Sequence, residues 1–154
     1  MSTQGFGCRE LYSIIDFNAM ERMKKKILIV DDDSFLLDMY ALKFSQNNFE
    51  VYTASGGMEV LEKLKGGFKP DVMLMDIIMP EMDGFEMLAK INAENLSPDS
   101  VKIVLSNKSQ QSDIDQGISL GVAGYIVKAS STPAEVIEQV IEILNKKNGL
   151  PEKA

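Results

Sequence analysis

The chain has 154 residues, 45% of them hydrophobic and 25% charged, with a formal net charge of −7. That size and balance describe one soluble domain able to bury a core without disulfides or structural metal. The acidic balance argues against nucleic-acid or anionic-lipid binding through an overall basic surface. With no histidine and a single cysteine, Cys8, outside the patterned region, imidazole catalysis, zinc sites and disulfide frameworks drop out as well. No run approaches the ~20 apolar residues of a membrane span, and no basic stretch leads into an apolar core at the N-terminus. A cytoplasmic location without membrane insertion is expected.

Residues 1–22 carry only a weak helical stripe (Leu11, Ile14 and Ile15) and read as a flexible or loosely docked extension, with Met20 or Met23 as a natural start. From residue 23 the pattern is regular. Apolar runs at 26–30, 50–54, 71–75, 101–106 and 123–127 predict five strands. After the first, Leu36, Leu37, Tyr40, Ala41 and Phe44 form a helical stripe behind Ser34 as N-cap. After the second, Val60, Leu61 and Leu64 form another, stopped by Gly66, Gly67 and Pro70. Phe85, Leu88, Ala89 and Ile91 follow Gly84, and Ile114, Ile118 and Leu120 follow the polar residues 109–112. Val136, Ile137, Val140, Ile141 and Leu144 follow Thr132-Pro133, a capping residue with proline in the first turn. The domain is expected to span 23–148, with 149–154 a short tail too small for an output domain. The ten methionines read as core filler.

Five strand–helix units imply a parallel sheet with helices on both faces and right-handed crossovers. Strands one and three are nearly unbroken apolar runs, as the doubly buried centre of such a sheet requires. Ligands of these sheets bind beyond the carboxyl ends of the strands, at the switch point in strand order. Asp31, Asp32 and Asp33 follow the first strand, Asp76 ends the third, and Ser106 and Lys128 end the fourth and fifth. Two carboxylates about 4 Å apart repel by roughly 4 kcal/mol at an effective dielectric of 20. If the fold brings these groups together, a cation must sit among them. Carboxylate oxygens favour a hard divalent ion, Mg2+ first. Lys128 supplies a second positive charge and Ser106 a hydroxyl. The set suits phosphoryl transfer, where positioning and charge neutralisation dominate, and the natural covalent nucleophile is a carboxylate.

Ile27-Leu28-Ile29-Val30-Asp31-Asp32, Asp76 with Met79-Pro80 and Met82-Asp83-Gly84, Ser106, and Gly124-Tyr125-Ile126-Val127-Lys128 together resemble the receiver domain of two-component response regulators over residues 24–147. The resemblance implies a flavodoxin-like (βα)5 fold with strand order 2-1-3-4-5. It implies that Asp76 accepts a phosphoryl group from a histidine kinase or histidine phosphotransfer protein. Mg2+ would be held by Asp31, Asp32, Asp76 and the backbone carbonyl of Ile78, and Lys128 would pair with the phosphoryl oxygens. Ser106 would move toward them and Tyr125 would turn inward, changing the surface of helix four, strand five and helix five. A downstream protein target and a monomer or phosphorylation-dependent homodimer follow from the same resemblance. The protein would be a switch rather than an enzyme. Asp33 reads as a solvated or helix-start acid, Asp83 as the cap of helix three and Gly84 as a relaxed turn.

Two positions, Ala129 and Asn107, depart from the family pattern, and two more, Ile78 and Lys108, bear on hydrolysis. Ala129 replaces the proline that follows the lysine with a cis bond, which predicts either a trans bond with a shifted loop or a strained cis bond costing ~2.5–4 kcal/mol. Asn107 replaces a small residue and narrows access for small phosphodonors. Ile78 and Lys108 offer no group to orient an attacking water, which predicts slow self-dephosphorylation. Two readings compete with the switch. One is a pseudo-receiver that binds partners without using its phosphosite. The other is a haloacid-dehalogenase-like phosphatase, mimicked by Asp31 and Asp33 but with Phe35 against its pattern.

Overall fold

The computed structural model describes residues 24–147; the expected extension at 1–22 and tail at 149–154 lie outside the described residues. Five strands and five α-helices alternate: β1 (Lys25–Val30), α1 (Ser34–Gln46), β2 (Phe49–Ala54), α2 (Gly57–Lys65) and β3 (Val72–Met75), then α3 (Gly84–Ala93), β4 (Val101–Ser106), α4 (Gln111–Ser119), β5 (Gly124–Val127) and α5 (Pro133–Lys147). All strand pairs are parallel, in the order β2-β1-β3-β4-β5. This is the flavodoxin-like sheet that the sequence implies.

The period of two along each strand divides the core into two layers. Leu28, Val30, Met73 and Met75 face Val60, Leu61 and Leu64 of α2 and Phe85, Met87, Leu88 and Ile91 of α3. Ile27, Ile29, Val72, Leu74, Ile103 and Ile126 face Leu37, Tyr40 and Phe44 of α1 and Val136, Ile137, Val140 and Leu144 of α5. All four residues of β3 are fully buried, each contributing roughly 1.5–3 kcal/mol relative to exposure. The central strand that carries Asp76 at its end is thus firmly held.

Local sequence sets the helix ends. Asp33, not Ser34, is the N-cap of α1: its carboxylate accepts from the amides of Phe35 (3.0 Å) and Leu36 (3.2 Å). Asp83 caps α3 through the Glu86 amide at 2.8 Å. Thr132 and Glu135 cap α5 reciprocally, Thr132 Oγ1 accepting from the Glu135 amide and Glu135 Oε1 from the Thr132 amide. Gly67 ends α2 at φ +101°, a backbone region that favours glycine.

Three apolar stripes differ from expectation; on α5, Ile141 is exposed, at 37%. On α3 the inward residue is Met87, fully buried, while Ala89 is exposed. On α4 the buried residues are Asp113 and Gly117, and Ile118 is 60% exposed. The bland reading of Gly84 is also replaced. A Cβ there would strike the Asp76 backbone oxygen and lie 2.8 Å from Ile77 Cδ1. The glycine permits close approach of α3 to the end of β3.

Candidate functional site

The sheet register brings the ends of β1, β3, β4 and β5 together at one edge. β1 lies beside β3, with Val30 opposite Met75, so Asp31 and Asp76 emerge side by side. Oxygens of Asp31, Asp32 and Asp76 lie within 4.8 Å of one another, with Asp31 and Asp76 buried and Asp32 exposed. Lys128, which leads from β5 into a 3-10 turn (Lys128–Ser130), reaches back across the sheet. Its ammonium donates to Asp31 Oδ2 at 2.7 Å and to Asp76 Oδ2 at 3.0 Å. The cation required among these carboxylates is thus, in the first instance, a side chain from 97 residues downstream of Asp31.

The remaining carboxylate oxygens are held by backbone. Asp76 Oδ1 accepts from the amides of Ile77 (2.7 Å) and Ile78 (3.3 Å), and Asp31 Oδ1 accepts from the Asp33 amide at 2.9 Å. Both side chains therefore have fixed orientations before any ligand arrives. Burial alone would push the Lys128 ammonium down. Its hydrogen bond to Asp31 and the charge and hydrogen bond of Asp76 outweigh that, so its pKa lies above the ordinary 10.5. It is a permanently charged partner at neutral pH.

Ser106 is completely buried at the end of β4, its hydroxyl accepting from the Lys108 amide at 3.3 Å. Tyr125 is half-buried in β5 and donates its phenol to the Lys108 carbonyl at 2.5 Å. Burial and then the charges of Asp113 and Asp76 push that phenol's pKa up. Both residues direct their hydroxyls to Lys108 and so hold the β4–α4 loop. Ile78 is beside the cluster, its amide on Asp76 and its side chain 58% exposed. The Lys128–Ala129 bond is trans, there being no cis peptide among the described residues, and the chain turns directly into the 3-10 segment. Of the two predicted outcomes, the trans bond is the one adopted.

The donor set fits a hard divalent ion. Three carboxylates converge, and an octahedral Mg2+ shell places its oxygens roughly 3–4 Å apart, so only a small closure from the 4.8 Å spread is needed. Sequence reading missed two polar residues of the same half of the sheet. Asp113 on α4 pairs with Lys108 Nζ at 3.1 Å and accepts from the Gln110 amide at 3.2 Å. The Gln110-x-x-Asp113 spacing was the available signal. Lys102, buried in β4, donates to the carbonyls of Ser97 and Ser100, and no pattern in the sequence marks it.

The profile of the response regulator receiver domain family matches residues 27–141. The chain belongs to the response regulator receiver family. The receiver is 36% identical over 125 residues to the chemotaxis protein CheY of Thermotoga maritima, covering 80% of this chain and 98% of that one. It is 32% identical over 124 residues to the alkaline phosphatase synthesis transcriptional regulatory protein PhoP of Bacillus subtilis, covering 80% of this chain. The chain spans about half the length of that regulator, 50%, but nearly all of the chemotaxis protein. Among solved structures it superposes on a CheY-like receiver domain protein from Methanospirillum hungatei with a TM-score of 0.73 at 31% identity, over 82% of this chain and 98% of that one. Membership places the receiver in phosphorylation-dependent two-component signalling. No helix among the described residues is long and apolar enough to cross a membrane.

Proposed function

We propose that the protein is a Mg2+-dependent phosphoryl acceptor whose covalent site is Asp76, controlled by a histidine kinase or histidine phosphotransfer protein. The observation that carries this reading is the Lys128 ammonium bridging Asp31 and Asp76 at 2.7 and 3.0 Å. A carboxylate with one oxygen on backbone amides and the other beside a charged lysine is oriented, and partly neutralised, for attack on an anionic donor. An Asp76 carboxylate oxygen forms the new bond to phosphorus while the P–N bond of the phosphohistidine breaks. The imidazole leaves with the bonding pair and takes a proton from solvent.

Asp31, Asp32, Asp76 and the Ile78 carbonyl would hold the ion, which when bound neutralises the carboxylates and the phosphoryl oxygens. Lys128 has only to follow the charge from the Asp76 oxygen to the phosphoryl oxygens. Ser106 leaves the Lys108 amide for the phosphoryl group, the β4–α4 loop moves with it, and Tyr125 follows the loop. The altered α4–β5–α5 surface then meets a downstream protein, as a monomer or a phosphorylation-dependent homodimer. The protein acts in the cytoplasm and turns over no substrate of its own beyond slow loss of its phosphoryl group.

Incubation with Mg2+ and phosphoramidate or acetyl phosphate tests the reading, with a phosphohistidine-bearing donor as the stronger arm because Asn107 narrows access. One phosphoryl group should be gained by the wild type and none by Asp76→Asn. Equal labelling of both, or none of the wild type by any donor, would sink it.

A further inference from the structure

Residue 108 is held by three groups at once. Its amide donates to Ser106 Oγ (3.3 Å), its carbonyl accepts from the Tyr125 phenol (2.5 Å), and its ammonium pairs with Asp113 Oδ1 (3.1 Å). The ammonium also lies 6.0 Å from the centroid of the Phe85 ring on α3. Three elements, β4, β5 and α4, therefore meet on one residue of the loop after the candidate acceptor site.

The attachment of α4 itself is unusual. No apolar side chain of the helix is fully buried; Asp113 and Gly117 are its buried residues, and Ile118 faces solvent. The inward Asp113 divides its two oxygens between the loop, through Lys108, and the first turn of the helix, through the Gln110 amide. Gly117 leaves room for the Tyr125 ring, whose Cδ2 would be 3.2 Å from a Cβ at that position. The helix is thus joined to the loop by charge more than by packing.

We propose that Asp113 is a positioning residue that ties the N-terminal turn of α4 to Lys108, so that displacement of Ser106 is passed to the helix. This rests on the proposed phosphoryl acceptance at Asp76. When Ser106 Oγ leaves the Lys108 amide, residue 108 retains two restraints, one to β5 and one to α4. The Asp113 bond obliges α4 to move with the loop. The Lys108 side chain is 46% exposed, so the pair is modest. Its loss changes the loop–helix coupling by about two- to fivefold.

The test uses the full chain, amide NMR spectra and beryllofluoride with Mg2+ as the probe. In the wild type, the Ile77 and Ile78 amides report occupancy at Asp76, and the Gly117 and Ile118 amides report the response of α4. Asp113→Asn keeps an oxygen for the Gln110 amide but removes the charge. Ile77 and Ile78 should still shift, while the α4 shifts shrink by about two- to fivefold. Lys108→Met should do the same, the double variant should be no worse than either single one, and Asp113→Glu should restore the response. Salt should weaken the wild-type α4 response but not that of Lys108→Met, a difference that a merely structural role for Asp113 would not produce. Full α4 shifts in Asp113→Asn or Lys108→Met with Asp76 occupied would overturn the proposal. Absence of Ile77 and Ile78 shifts in the wild type would instead overturn the acceptor reading, and this proposal with it.

Discussion

Replacing Lys128 by methionine keeps most of the apolar stem of the side chain and removes the charge that the two buried carboxylates share. At an effective dielectric of 20, unit charges at 2.7 and 3.0 Å attract by about 6 and about 5.5 kcal/mol. The two carboxylates, with oxygens no more than 4.8 Å apart, repel by at least about 3.5 kcal/mol on the same scale. The attractions are gross values, offset by the cost of burying a side chain that is only 13% exposed. What survives removal of the lysine is the repulsion and the lost compensation for two desolvated anions, about 3–4 kcal/mol of unfolding free energy.

Urea unfolding in the presence of a chelator should therefore show a midpoint lowered by about 1.5–3 M. Magnesium then separates the electrostatic account from a packing defect. In the variant the ion meets the cluster without a competing ammonium, and at a hundred times its dissociation constant it should restore about 2.7 kcal/mol. In the wild type the gain should be smaller, because Lys128 already holds the position between Asp31 and Asp76. Adding Asp31→Asn to the variant should also recover stability. A Lys128→Met midpoint unchanged without Mg2+, or equal stabilisation of both proteins by the ion, would refute the reasoning.

Four further outcomes are expected. Gly84→Ala should cost about 1–3 kcal/mol by calorimetry and shift the Ile77 amide, because the new methyl meets the Asp76 carbonyl and Ile77 backbone. Lys102→Met should cost about 1 kcal/mol: the Ser97 and Ser100 carbonyls lose a donor, while relief of a buried charge, whose pKa burial has lowered, offsets part of it. Phosphoryl acceptance, at the other end of β4, should be unaffected. Ile78→Asn with Lys108→Glu should shorten the lifetime of the Asp76 phosphoryl group, measured by loss of label. Because the Lys128 pKa is raised above 10.5, its contribution to stability is complete below that pH and disappears as pH rises through the higher folded value; denaturation at pH 9 should show it intact.

The sequence made the acid-bearing strand ends legible for a physical reason. β1 from Ile27 and all of β3 are buried on both sides, so they run apolar until the chain leaves the sheet, and the first polar residues that follow mark the edge where ligands bind. Asp31, Asp32 and Asp76 are such residues. Lys128 was legible only with its preceding residues, since a lone lysine after a strand is ordinary. The capping of α1 was ambiguous because Asp33 and Ser34 are adjacent and chemically equivalent as caps; φ and ψ at Asp33 decide it. Met87 was passed over in favour of Ala89 because the apolar character of a small residue says little about which side of a helix it occupies.

The misreading of α4 has a different origin. A hydrophobic stripe identifies the buried side only when apolar packing holds the helix. Here Asp113 and Gly117 are inward, Ile118 is outward, and Ile114 and Leu120 are half-buried. A helix attached this way gives up roughly 1.5–3 kcal/mol for each large apolar side chain it does not bury, and elements with few buried apolar contacts lie at the low end of local stability. The same composition that hides the orientation of α4 from a periodicity argument lowers the cost of displacing it. By contrast, α1 and α5, whose stripes are legible apart from the exposed Ile141, are fixed by full burial of Phe44, Val136 and Val140. Of the helices flanking β5, α4 is therefore the one that the proposed phosphoryl acceptance at Asp76 would displace at least cost.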